Sequence, residues 1–137
     1  MRRVVVTGLG MVSPLACGVE PTWRRLLEGQ SGAGTISRFD ASHLATDYAC
    51  EVPRGDGSDD TFDADAWMEP KEQRKVDDFI LYGVAAADQA IADAGIGDAS
   101  DEEKLDIGVM IGSGIGGLQS IAETAVMIKE RGPRRVS

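Results

Sequence analysis

Residues 106–117 read DIGVMIGSGIGG, an aliphatic run that passes straight into a glycine-rich turn, and few folds accept that combination. Ile107, Val109, Met110 and Ile111 put apolar groups on both alternating faces, which predicts a central β-strand covered on each side rather than a half-exposed edge. Gly112, Gly114, Gly116 and Gly117 then let the backbone take positive φ or approach a neighbour where a Cβ would clash. Beyond them Leu118, Ile121, Ala122, Ala125 and Ile128 recur at helical spacing, so the turn joins a buried strand to a helix. Strand-to-helix turns of this kind are where α/β proteins hold their chemistry.

The rest of the chain reads as support for that turn. The β-branched residues 4–9 predict an N-terminal buried strand, ended by Gly8, Gly10 and the turn at Ser13 and Pro14. A short helix follows, with Pro21 in its first turn, Trp23, Leu26 and Leu27 on one face and Gly29 closing it. Residues 30–48 read as loop, and residues 49–52, before Pro53, as a short edge strand. Residues 54–68 form a polar excursion with five aspartates, Asp56, Asp59, Asp60, Asp63 and Asp65, whose spacing does not fit an EF-hand; the expectation is a solvated loop and no metal site. One long helix is expected over residues 71–94, opened by Pro70 and stopped by Gly95. Its apolar stripe would be Val76, Phe79, Ile80, Val84, Ala87, Ile91 and Ala94, with Lys71, Arg74 and Lys75 nearly opposite. Ser100 and Glu103 form a candidate capping box. The last helix spans about residues 118–130 and stops at Gly132 and Pro133. Strand–helix alternation of this kind predicts an α/β fold with parallel pairing.

Composition narrows the function classes. At 137 residues, with 42% hydrophobic and 27% charged residues, the chain is one domain with a core to bury. Fourteen Lys and Arg against 23 Asp and Glu give a net charge of −9, which argues against non-specific nucleic-acid binding. Two widely spaced cysteines and no asparagine fit a reducing, cytoplasmic setting. Arg2 and Arg3 before an apolar run, then Leu15, Ala16 and Cys17, mimic a secretory or lipoprotein signal. Thr7, Gly8, Gly10, Ser13 and Pro14 interrupt that run, so the signal reading is set aside, and no segment approaches membrane-spanning length.

The glycines Gly112, Gly114 and Gly117 satisfy G-x-G-x-x-G between a strand and a helix, which keeps a nucleotide-binding domain as one alternative. The fingerprint also needs a second strand ending in an acidic residue about twenty positions on; here that distance falls in a helix end and a Gly–Pro stop. Glycines that only allow tight packing account for the motif better. Cys17 and Cys50 have no basic partner nearby in sequence, and the one histidine, His43, falls in a loop, so both thiols read as buried and inert. Ser113 lacks the context of a nucleophile elbow. Lys71, Arg74 and Lys75, at i, i+3 and i+4, and the pair Arg134 and Arg135 are local basic exceptions in an acidic chain. Such patches steer acidic partners, although a solvated face with Glu72, Asp77 and Asp78 as intrahelical partners is the simpler reading from the residues alone.

Taken together, RRVVVTGLGMVSPL, EPKEQRKVDDFILYG, IGSGIGGL and ERGPRRVS resemble the N-terminal part of the β-ketoacyl-acyl carrier protein synthase II family, the condensing enzymes of fatty-acid synthesis. The resemblance implies a thiolase-like α/β fold, layered αβαβα in the full protein, assembled as a homodimer. It implies a decarboxylating Claisen condensation on a cysteine, with acyl carrier protein as partner and no cofactor, nucleic acid or membrane. It places the nucleophilic cysteine, two histidines and a lysine further along the chain than Ser137; Cys17, Cys50 and His43 do not match them. This chain alone is therefore expected to be inactive and to present an unpaired sheet edge. Carried over residue by residue, Lys71, Arg74, Lys75, Arg134 and Arg135 match carrier-protein docking positions, and Ile115 matches a residue at the acyl-chain pocket. A non-catalytic α/β binding module is the other alternative.

Overall fold

Residues 3–136 are described by a computed structural model of the chain; Met1, Arg2, Ser137 and the side chain of Arg135 lie outside that description. The elements in order are α1 (Val19–Leu27), β1 (Ala33–Thr35), β2 (Tyr48–Cys50), α2 (Pro70–Gln73), α3 (Asp78–Ala94), α4 (Asp101–Lys104) and α5 (Leu118–Arg131), with three short 3-10 turns at Ser58–Asp60, Ala64–Ala66 and Pro133–Arg135.

Helix α3 is the axis of the packing. Its buried residues are Leu81 and Ala85, which meet Phe62, the largest fully buried side chain at 1% exposure. Val12, Cys17, Val52, Trp67, Met68 and Tyr82 close around this cluster. The buried face is thus not the expected stripe: Phe79, Ile80 and Ile91 are exposed. Helix α3 is apolar nearly all round, so periodicity alone does not say which face this chain covers. Phe62 lies in the polar excursion read as solvated loop, and that reading is corrected. The excursion is also fastened to α1, where Arg24 and Arg25 reach Asp60 Oδ2 at 2.8 and 3.2 Å and the Cys17 amide donates to the Asp60 carbonyl at 2.8 Å. Asp59 and Asp60 take left-handed φ values of 51° and 59°, a conformation Asp tolerates better than most residues. In α1 it is Thr22 that is buried, while Trp23, Leu26 and Leu27 point outward, opposite to the expected face.

The N-terminal segment crosses α3 through small residues. A Cβ on Gly8 would lie 2.8 Å from the Ala94 side chain, and one on Gly10 would lie 2.8 Å from the Ala90 nitrogen. The Leu9 amide donates to Asp93 Oδ2 at 2.9 Å and the Met11 amide to Gln89 Oε1 at 3.0 Å. Side chains of α3 therefore take hydrogen bonds that a neighbouring strand would take in a sheet.

Neither expected long strand forms a ladder among the described residues. Residues 4–9 and 107–111 are unpaired, with Val4 95% and Met110 98% exposed. The described sheet has two strands, antiparallel, pairing Ala33 with Cys50 and Thr35 with Tyr48. This adds a strand inside the segment read as loop, and the edge strand sits slightly earlier than expected; parallel pairing of the long strands is not seen among the described residues. A strand apolar on both faces needs partners on both edges and cover on both faces; among the described residues neither segment has a ladder partner, and the N-terminal one is crossed only by α3.

The remaining boundaries follow local chemistry. Gly95 ends α3 at φ 68°, Gly132 and Pro133 follow α5, and Ser100 and Glu103 exchange both bonds of a capping box, at 3.3 and 2.8 Å. The expected helix over 71–94 is broken after Gln73 and restarts at Asp78, because Asp77 adopts the extended backbone of an N-cap (φ −79°, ψ 159°).

Candidate functional site

The glycine turn ends at α5, whose N-cap, Gly117, has no side chain to offer. Two features shape it. The Gly116 amide donates to Ser113 Oγ at 3.0 Å, and Gly116 takes φ 77°, the one position in the turn that needs the left-handed region. Gly117 is pressed against Asp77: a Cβ there would sit 2.5 Å from the Asp77 carboxyl carbon. Gly112 and Gly114 face open space.

Asp77 reaches across rather than capping its own helix. No side-chain bond joins it to the α3 amides; instead its Oδ1 accepts from Ser120 Oγ at 2.7 Å. One carboxylate thus stands at the start of both α3 and α5, which suits the positive ends of the two helix dipoles. A cleft of about 280 Å³ opens beside this junction, lined by Arg38, Asp78, Phe79, Tyr82, Gly116 and Leu118. Its floor is a charged network in which Asp78 receives Arg38 Nη1 at 2.7 Å and Arg54 Nη2 at 2.5 Å, while the Tyr82 hydroxyl takes Arg38 Nη2 at 3.0 Å and Arg54 Nε at 3.2 Å. Arg54 also lies 5.5 Å from the Tyr82 ring centroid. The bonds from Tyr82 and Asp78 hold the Arg38 guanidinium above its usual range.

Lys71, Arg74 and Lys75 are exposed on α2 and the turn that follows it. Lys75 pairs with Glu72 at 2.6 Å, one of the intrahelical partners anticipated; Lys71 and Arg74 have no ion-pair or hydrogen-bond partner among the described residues. Because the helix breaks at Arg74, the three do not form an i, i+3, i+4 stripe on one long helix. They ride on a single short turn that leads directly into Asp77. Arg134 is exposed in the 3-10 turn after α5; Arg135 was named with it, and its side chain falls outside the described residues. Ile115 projects from the glycine turn, 71% exposed.

Nothing here builds a nucleophile. Burial pushes the Cys17 thiol up, a bond from Gln89 Nε2 at 3.6 Å pulls it down, and the charge of Asp60 adds to the rise. A raised thiol is a poor source of thiolate. Cys50 is exposed in β2, which corrects the expectation that both thiols are buried, and His43 is exposed in its loop. The geometry also opposes a nucleotide at the turn: the group at the N-terminus of α5 is the carboxylate of Asp77, which would repel a pyrophosphate. Among the described residues no group of three or more His, Cys, Asp or Glu is placed to hold a metal ion.

Ser120, Arg38, Arg54 and Tyr82 did not stand out in the sequence, and Asp77 and Asp78, expected as intrahelical partners of the cations, bond instead to Ser120 and to Arg38 and Arg54. Only Asp77 left a signal of its place in the sequence: an Asp just before an apolar helical run is an N-cap candidate, here hidden inside what read as one helix.

A glycine turn is thus braced by Asp77 beside a cleft, and Lys71 and Arg74, without partners among the described residues, lie on the short turn that leads into Asp77. Residues 1–137, the whole chain, match the family model described as Beta-ketoacyl synthase, N-terminal domain, and the chain belongs to that family. It is 57% identical over 137 residues to the 3-oxoacyl-[acyl-carrier-protein] synthase 2 of Rhizobium meliloti, covering 100% of this chain and 32% of that protein. It is 46% identical over 136 residues to the enzyme of the same name from Vibrio harveyi, covering 99% of this chain and 31% of that one. Among solved structures it is similar to the ishigamide ketosynthase/chain length factor, with a TM-score of 0.71 and 32% identity over 96% of this chain and 30% of that one. The chain thus spans about a third of the length of these relatives. Family and structural likeness bear out the expected thiolase-like α/β fold, of which this chain forms a part.

Proposed function

We propose that this chain is the N-terminal portion of a 3-oxoacyl-acyl carrier protein synthase of fatty-acid elongation. In that reaction an acyl group is held as a thioester on a cysteine. Malonyl-carrier protein loses carbon dioxide as its carbon–carbon bond breaks, and the resulting carbanion attacks the thioester carbonyl. A new carbon–carbon bond forms and the cysteine thiolate leaves. The nucleophile and the groups that bind malonyl thioester lie outside residues 1–137; Cys17, with its raised thiol, is not a substitute for them.

Two tasks fall to this segment. Lys71, Arg74, Lys75, Arg134 and Arg135 dock the acidic carrier protein, and Ile115 lines the acyl-chain pocket. The observation that carries the docking role is the pair of exposed cations Lys71 and Arg74, without partners among the described residues, on one short turn of a chain with net charge −9. Steering of an acidic partner by a local basic patch, against a repelling background, depends on such an exception. The homodimer and a cytoplasmic setting belong to the same reading; among the described residues no helix is long and apolar enough to cross a membrane.

Charge reversal at Lys71, Arg74 and Lys75 in the enzyme that carries this chain tests the docking role. Carrier-protein binding is expected to weaken by roughly ten-fold or more at low salt, with the difference shrinking as salt screens the patch. Unchanged binding at low salt would refute the assignment.

A further inference from the structure

We propose that Asp77 is a positioning residue that ties the carrier-docking turn to the glycine turn bearing Ile115, so that carrier docking and acyl-chain selection are coupled through one carboxylate. The inference rests on the function proposed above and extends it to a residue that neither the family match nor the docking patch names.

Three observations meet at Asp77. It follows Lys75 by two positions, so Arg74, Lys75 and Asp77 share the short connection between α2, which carries Lys71, and α3. Its Oδ1 accepts the Ser120 hydroxyl at 2.7 Å, fixing the first turn of α5. Its carboxyl group fills the space over Gly117, where even a methyl group would not fit. Phe79, two residues further on, adds a second contact, since a Cβ on Gly116 would lie 3.9 Å from Phe79 Cζ. The turn that carries Ile115 is therefore held from one side by residues 77 and 79, and it has few other supports. A Cβ on Gly112 or Gly114 would meet only open space, and Ile115 itself is largely exposed. A displacement of the docking turn reaches the glycine turn through this junction, which is the physical content of coupling between two sites.

The test uses the full-length enzyme and three variants, Asp77→Ala, Ser120→Ala and their combination, with Asp77→Asn as the conservative control. Two quantities are read: the dissociation constants for unacylated and long-acyl carrier protein, and kcat/KM for a short and a long acyl chain. Loss of one hydrogen bond of ordinary strength corresponds to roughly five-fold. Asp77→Ala and Ser120→Ala are each expected to change the long-to-short ratio of kcat/KM by about that factor. The double variant is expected to do no more than either single one, because both remove the same bond. Affinity for unacylated carrier protein is expected to stay within about two-fold, because the docking cations are untouched, while the difference in affinity between long-acyl and unacylated carrier protein shrinks, since coupled sites shift each other's binding equally. Asn keeps a carbonyl acceptor for Ser120 and is expected to restore the ratio. Equal loss at both chain lengths, or additive effects of the two substitutions, would overturn the proposal. Where Asp77→Ala does not fold, Ser120→Ala, an exposed single-atom deletion, carries the comparison. Failure of the functional reading shows separately, as an unaltered enzyme that neither binds carrier nor condenses. In that case the tether is read by amide exchange: faster exchange at Gly116 and Gly117 in Ser120→Ala supports it, and unchanged exchange overturns it.

Discussion

The ring of Tyr82 stands edge-on to the ring of Phe62, centroids 5.0 Å apart at 82°, so one aromatic contact joins the acidic excursion to the central helix. The hydroxyl of the same tyrosine receives Arg38 and Arg54 at the cleft. The core and the site therefore share a residue.

Phe62 is the residue whose loss should cost most. Replacing a fully buried Phe by Ala removes about 3–5 kcal/mol. With a core this small, Phe62→Ala is expected to leave the chain largely unfolded in a denaturant titration, whereas Phe62→Leu should shift the midpoint only modestly. Equal midpoints for Phe62→Ala and the unaltered chain would remove Phe62 from the core.

Gly10 makes a second packing claim. Any side chain there meets the backbone of Ala86 and Ala90. Gly10→Ala is expected to destabilise by about 1–3 kcal/mol through overpacking, or to lift the N-terminal segment off α3. Either outcome is visible as faster exchange of the Leu9 and Met11 amides, and retained protection would contradict the close approach.

The two thiols should react at different rates. Burial raises the Cys17 thiol, while Cys50 is exposed in β2. Alkylation by iodoacetamide at neutral pH is expected to label Cys50 first and Cys17 slowly, with Cys17 catching up on denaturation. Peptide mapping of a time course checks the order; equal rates in the folded protein would contradict the burial of Cys17.

Glu51 supplies the pH dependence. The Ser37 hydroxyl donates to Glu51 Oε2 at 2.6 Å and, with smaller help from the Ser37 amide, holds the carboxyl below its ordinary value. A depressed folded value means the stabilisation is complete above the ordinary glutamate range and drains as pH falls through the lowered value. The Ser37 amide shift is therefore expected to titrate below the range of a free glutamate. Glu51→Gln should abolish that titration, and a midpoint above the free value would contradict the bond.

Exposed aliphatic segments make a prediction of their own. Val4, Val5, Val6, Val109, Met110 and Ile111 are all solvent-facing in this chain. Contiguous apolar surface with free backbone donors and acceptors favours edge-to-edge pairing. Sedimentation of the isolated 137 residues is expected to show self-association that grows with concentration. A cooperative monomer at high concentration would argue that these segments are covered from within.

What the sequence made legible was mostly local. Gly95, Gly132 and the Ser100–Glu103 box stop or start helices through their own backbone and side-chain chemistry, and each appears where expected. The misplaced features depend on neighbours. Whether α3 buries Leu81 or Ile91 depends on what the chain lays against it, and a helix apolar over most of its circumference gives little preference. The strands expected at 4–9 and 107–111 have the right residues but no ladder partner here, so a pattern that predicts cover finds none. The Asp77–Ser120 bond spans 43 positions, which no local spacing rule detects.

The most direct measurement follows the acyl group. The enzyme that carries this chain is incubated with labelled acyl-carrier protein, quenched, and digested for peptide mapping. The label is expected as a thioester on a cysteine other than Cys17 and Cys50, with transfer slowed when Lys71, Arg74 and Lys75 are reversed in charge. Label on Cys17 or Cys50, or no transfer at all, would contradict it.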